Sequence, residues 1–308
     1  MTFTASGDDP YTNMIDRSAT LGFGHLAVEP PGYNDTPSLA IRLAGADRIR
    51  EKVLLLPQVE SAYVRIMGEA MFASGAKSIG GQVIGIDPAV ENSEHNIFIK
   101  SIGKGELFKD SSSRGVLIGR KMAEKLKLRL GKKLIYTLTD RNGELVSSIC
   151  RVSGIFATGE DTVDSSIIML PIARLRKVLA YEEEDASLIS VFIDDQRRVE
   201  QVKEQLGLLI DGRGREILTW RETQAELAGL IAIDRAGNYL MQGLVGLLIA
   251  ARILNTLMMS VMERTREFGM MMAVGMAPSQ VVAMVVAESF LIAIMGLLMG
   301  ILLTTPWY

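Results

Sequence analysis

The chain has 308 residues, with 22% charged residues, 48% hydrophobic residues and a formal net charge of -3. That balance excludes a whole-chain basic field for nucleic acid, and a lone cysteine, Cys150, excludes an intramolecular disulfide. A mean hydropathy of +0.22 beside so much charge requires segregated apolar residues, in a chain long enough for two domains.

Residues 1–11 lack the basic start, apolar core and cleavage site of a signal peptide, and residues 1–20 read as an irregular lead-in. A short strand follows, closed by the turn at Pro30, Pro31 and Gly32. Residues 43–56 have helical apolar spacing and stop at Pro57. Residues 59–73 and 79–86 read as a strand and its returning partner, an α+β pattern. Residues 92–105 read as loop, 116–118 as strand and 120–130 as a helix stopped by Gly131.

Strands are expected over 133–139 and 144–156, joined by a hairpin at Asp140-Arg-Asn-Gly143, where Asn-Gly tolerates positive φ. Further strands are expected over 167–170, 188–193 and 217–220, and helices over 171–180 and 197–208, with a turn at 211–214. Glu182, Glu183, Glu184 and Asp185 read as a solvated acidic loop. A helix over 223–236 leads toward the apolar remainder.

Residues 239–262 contain one charge, Arg252, and residues 281–303 contain one, Glu288. Each run spans about 35 Å as a helix, enough for a bilayer core. Tyr239, Trp307 and Tyr308 lie on one side, as interfacial aromatics do. Arg264 and Arg266 lie in the loop on the other side, which the positive-inside bias places in the cytoplasm. Arg252 and Glu288 would then lie about 15 Å and about 12 Å deep. A charge at that depth needs a partner, so the two are expected to face each other.

Little in the chain points to chemistry. His25 and His95 are the only histidines and have no spaced partners, so no metal site is expected. No Gly-x-Ser-x-Gly elbow occurs. Gly154 and Gly159 have phosphate-loop spacing, but Glu160 and Asp161 follow where Lys-Ser/Thr is needed. No ATP hydrolysis and no cofactor are expected of this chain.

The segment between the apolar runs reads Asn255-Thr-x-x-x-Ser-Val-x-Glu-Arg-x-Arg-Glu-x-Gly269, followed by Ala273-x-Gly275 and Glu288. This pattern resembles the FtsX-like permease domain of ABC transporters. Gly24-His-Leu, Gly85-Ile-Asp-Pro88, Leu117-Ile-Gly-Arg-Lys-Met-Ala123, Val152-Ser-Gly-Ile-Phe156 and Leu218-Thr-Trp-Arg-Glu222 resemble the MacB-like periplasmic core domain. Gly24-His25 and Thr219-Trp220 are most similar to the lipoprotein-releasing permease subfamily.

The resemblance implies an α+β extracytoplasmic domain of two lobes over 18–225, with a β-rich insertion over about 91–185. Residues 236–308 would be a partial FtsX-like permease domain, with transmembrane helices over about 239–262 and 281–303. It implies a multi-pass inner-membrane permease subunit with a large periplasmic domain. Its partners would be a cytoplasmic ABC ATPase, a second permease subunit in a homo- or heterodimer, membrane lipid, and lipoprotein or other periplasmic cargo.

ATP hydrolysis would belong to the ATPase, docking at a coupling loop of Glu263, Arg264, Arg266, Glu267, Gly269 and Gly275. Within that loop Glu263 and Arg266 are spaced to pair, and Gly269 and Gly275 permit a bend. The family pattern has four membrane helices, and its first and last are missing from this sequence, which reads as truncated. The same features fit a macrolide or peptide efflux permease, an FtsX-type regulator of cell-wall hydrolases, or a membrane-anchored binding module without transport.

Overall fold

The computed structural model describes residues 2–210 and 214–304, with side chains for 11–210 and 214–301. Asp211, Gly212 and Arg213, where a turn was expected, and the aromatics Trp307 and Tyr308 lie outside the described residues. The chain divides into two compact units, Met1–Ala232 and Ile233–Tyr308.

In the first unit the expected lead-in is instead a helix, α1 (Thr2–Ala19). It precedes β1 (Leu26–Glu29), α2 (Ala46–Val53), the long β2 (Val59–Ser74) and β3 (Lys77–Ile86). Next come α3 (Ile97–Lys100), β4 (Ile102–Gly105), β5 (Gly115–Gly119), α4 (Arg120–Lys125) and β6 (Lys133–Thr139). These are followed by β7 (Leu145–Phe156), α5 (Asp161–Ser166), β8 (Ile167–Pro171) and α6 (Ile172–Val178). The unit ends with β9 (Leu188–Ile193), α7 (Val199–Leu209), β10 (Glu216–Thr219) and the single turn α8 (Trp220–Thr223).

Two sheets share β2. Its first half, Val59 to Arg65, pairs antiparallel with β9, which continues to β1 and β10. Its second half, Ile66 to Ser74, pairs with β3. From there pairing runs β3 to β8, β5, β7 and β6, and β6 returns to β2, closing a six-stranded barrel. The β-rich lobe therefore starts near residue 66 and takes in β2 and β3, earlier than the expected boundary at 91. One strand serving two sheets leaves no composition break to mark that boundary.

Packing follows side-chain period. α2 presents Ala46, Ile49 and Val53, and α7 presents Val199, Val202 and Leu206; all six join one buried core with Leu26, Val28, Ile189 and Val191. In β8 alternate residues separate, Ile168 and Leu170 to that core and Ile167 and Met169 to a second one with Phe98 and Phe108. All of β9 is buried, so it reads as an unbroken apolar run.

Asn96 accepts backbone hydrogens from Phe98 and Ile99 to start α3, inside the stretch read as loop. The helix expected to reach residue 130 stops at Leu126, because Lys127 turns left-handed at φ 53°. The acidic loop is ion-paired: Asp185 with Arg42, and Glu184 with Arg48 at 2.6 Å.

Candidate coupling element

Three helices build the second unit. α9 (Ala225–Glu263) runs unbroken for 39 residues from the end of the first unit, and α11 (Pro278–Thr304) for 27. Ala225–Glu263 and Pro278–Ile301 are long and apolar enough to cross a membrane, and each holds an 18-residue stretch of mean hydropathy 1.9 and 2.5 respectively. Their large side chains, Leu247, Leu248, Phe290 and Met295 among them, face outward. Between them lies α10 (Thr265–Ala273), nine residues long.

The ends of α10 follow from local chemistry. Arg264 departs from helical geometry at φ -96° and ψ 9°, separating α9 from α10. At the other end the Gly275 N–H donates to the Met272 carbonyl and the Met276 N–H to that of Met271, both at 3.1 Å. These two bonds make a Schellman stop, and Gly275 supplies its left-handed residue at φ 107°. α11 then starts with Pro278 in its favoured first position. Gln280 reaches back and accepts the Ala277 N–H at 3.0 Å, covering an orphan donor.

Arg264 holds this element together. Its Nε donates to Glu267 Oε2 at 3.0 Å, and its Nη1 donates to both carboxylate oxygens of Glu288, at 3.0 and 2.9 Å. Its guanidinium carbon lies 5.8 Å from the centroid of the Phe268 ring. Glu267 and then Glu288 hold the Arg264 pKa above its usual value, keeping the cation charged. Phe268 and Val281 are buried in the same unit.

The partner expected for Glu288 is thus replaced. Glu288 pairs with Arg264, and Arg252 makes no side-chain hydrogen bond or ion pair among the described residues. Depths of about 15 Å and about 12 Å assume a short link over 263–280. Instead α10 packs on α11, and its roughly 14 Å length matches the rise from Pro278 to Glu288. Glu288 is therefore level with the polar end of α9.

The other expected loop residues separate into two groups. Arg264 and Glu267 pair internally, whereas Glu263 and Arg266 are exposed and make no ion pair among the described residues. The expected Glu263–Arg266 pair is not formed; the ion pair at that spacing is Arg264–Glu267. Gly269 is helical within α10, so Gly275 alone makes the turn. The roles of Arg264, Phe268 and Gln280 were not foreseen; the Arg264–Glu288 contact spans 24 residues, beyond any local spacing rule.

In the first unit the expected motif residues have structural work. Gly24 sits at φ 74°, and a Cβ there would lie 2.7 Å from the Val191 carbonyl oxygen, so only glycine fits. His25 Nε2 contacts Asp16 of α1 at 3.0 Å, while its Nδ1 accepts the Ile193 N–H. Burial lowers the His25 pKa, with Asp16 opposing, and the accepting Nδ1 fits a neutral ring. Thr219 and Glu222 form a capping box at the start of α8, and Lys203 binds Glu222 at 2.7 Å. Among the described residues no group of three or more His, Cys, Asp and Glu could hold a metal ion.

Residues 3–208 match the MacB-like periplasmic core domain family, and residues 239–307 match the FtsX-like permease C-terminal family. The chain is 25% identical over 308 residues to a macrolide export ATP-binding/permease protein MacB of Nitrobacter winogradskyi, covering 97% of this chain and 46% of that protein. It is 22% identical over 260 residues to a lipoprotein-releasing system transmembrane protein LolC of Haemophilus influenzae, covering 80% of this chain and 63% of that protein. It thus spans about half to three-fifths of these relatives' lengths. A solved structure, the extracellular domain of the noncanonic ABC-type transporter YknZ from Gram-positive bacteria, aligns at TM-score 0.44 and 19% identity, covering 63% of this chain and 98% of that one.

Proposed function

This chain belongs to the MacB-like periplasmic core domain family and carries an FtsX-like permease C-terminal region, and from that premise we propose that it works as a permease subunit of an ABC transporter. The observation that carries the reading is α10: a short helix held on α11 by Arg264, with Glu263 and Arg266 exposed and without an ion pair among the described residues. Such a helix presents charge in fixed positions to a partner groove. A cytoplasmic ATPase docks there, and its cycle moves α9 and α11. Membrane insertion places the first unit in the periplasm of an inner-membrane assembly, with a second permease subunit completing the pair.

The cargo reading we favour is lipoprotein release, supported by the Gly24-His25 and Thr219-Trp220 features and the likeness to LolC. The MacB likeness covers more of this chain, which supports macrolide export as a second reading.

The test is reconstitution of the full chain with a candidate ATPase and its permease partner. ATPase stimulation that depends on Glu263 and Arg266 supports the role. Lipoprotein discharge against drug extrusion separates the two cargo readings.

A further inference from the structure

An open groove of about 850 Å³ lies on the barrel lobe, between the end of α4 and strand β4. Four cations line it, Lys104, Arg120, Lys127 and Arg129, against one carboxylate, Glu124. None of the four makes an ion pair or side-chain hydrogen bond among the described residues. Nearby Lys121, outside the groove, is paired with Asp161 at 3.1 Å. Leu130 and Ile155 give the groove an apolar component.

Two further observations mark it as a binding surface. Lys127 holds a left-handed backbone at φ 53° at the stop of α4, where the Leu128 N–H donates to the Ala123 carbonyl at 2.8 Å. Glycine is the favoured residue for that geometry, so a lysine there spends conformational strain to place a cation on the rim. β4 contributes Gly103 and Lys104, and it is an edge strand that pairs with β7 and with no other strand among the described residues. An edge strand beside clustered cations suits an extended chain that adds to the sheet and offers carboxylates.

We propose that this groove binds an extended acidic segment of a partner protein, by charge pairing with these four cations and strand addition at β4. The proposal stands independently of the transport reading, since it needs only the first unit's surface.

The test uses the full chain in detergent and a dye-labelled twelve-residue peptide alternating Glu and Val, followed by fluorescence anisotropy. Saturable binding is expected that weakens with salt. K127G, which relieves the backbone and preserves the fold, should bind about threefold to fivefold more weakly. The R120E/K127E/R129E variant should bind about a hundredfold more weakly. Methylating alternate peptide nitrogens on the Glu–Val peptide should also abolish binding.

Absence of saturable binding, or equal affinity of wild type, K127G and the triple variant, would overturn the proposal. So would undiminished binding of the methylated peptide. Dihexanoyl phosphatidylglycerol or inorganic phosphate binding that the triple variant loses, without loss of peptide binding, would assign the cations to a small anion and overturn it as well.

Discussion

Arg264 and Glu288 meet at 2.9 Å across 24 residues of sequence, joining the end of α9 to the third turn of α11. The contact sets how α10 lies, because the same guanidinium also binds Glu267. Glu288→Gln is expected to loosen α10 on α11 without unfolding the first unit. Spin labels placed on α10 and α11 should report a broader distance distribution. The swap Arg264→Glu with Glu288→Arg should narrow it again, which loss of bulk alone would not permit.

Glu263 and Arg266 offer the opposite case. Both are exposed and neither makes an ion pair among the described residues, so Glu263→Lys and Arg266→Glu should leave expression and melting temperature unchanged. ATPase stimulation by the reconstituted permease is expected to fall about tenfold for the double variant. Glu267→Lys should also lower stimulation, but with a disordered α10, since Glu267 is tied to Arg264.

Inside the first unit Arg65 is 1% exposed and binds Glu91 through two bonds, at 2.6 and 2.8 Å. Asn96 donates to the same carboxylate at 2.8 Å. Arg65→Met strands a buried carboxylate and should cost about 3–5 kcal/mol in denaturant unfolding. Arg65→Met with Glu91→Met should recover most of that loss, because no charge is then left unpaired.

Two buried groups shift stability with pH in opposite directions. His25 has its pKa lowered by burial below 6.5. The unfolded chain then binds the extra proton first, so stability is full above about 6.5 and is lost as pH falls through the folded value. The melting temperature should drop between pH 7.5 and 5.5, and less so in His25→Gln.

Glu29 is fully buried, and burial, opposed by the nearby Asn34 backbone N–H, pushes its carboxyl up to about 7. Here the folded state keeps the proton, so stability is full below about 4.5 and is lost as pH rises through about 7. Glu29→Gln should match the wild type at pH 4.5 and exceed it at pH 8 by on the order of 2 kcal/mol.

Composition and pattern made much of the molecule legible. Apolar and β-branched content located β2 and β9, the hairpin signal located β6 and β7, and the two long apolar stretches located α9 and α11. Asn142-Gly143 marked its hairpin because Gly143 does adopt φ 83°. Short elements escaped: α3 and β4 hold four residues each, too few to show a period. The barrel escaped because its closure is a long-range pairing, Phe72 of β2 opposite Tyr136 of β6. Within the candidate coupling element Gly269 and Gly275 both offered a bend, and only Gly275 makes it, since Gly269 is helical within α10. The division into inward Arg264 and outward Arg266 depends on how α10 packs on α11, which one strand of sequence does not encode locally.

Docking of an ATPase on the outward face of α10 can be caught directly. A photo-crosslinking residue at position 266 of the full chain, activated in cells, tests it most directly. A covalent adduct with a phosphate-loop ATPase is expected, and it should disappear when Glu263 is reversed to Lys. Adducts only to lipid or to a second permease, with no ATPase adduct at any yield, would contradict it.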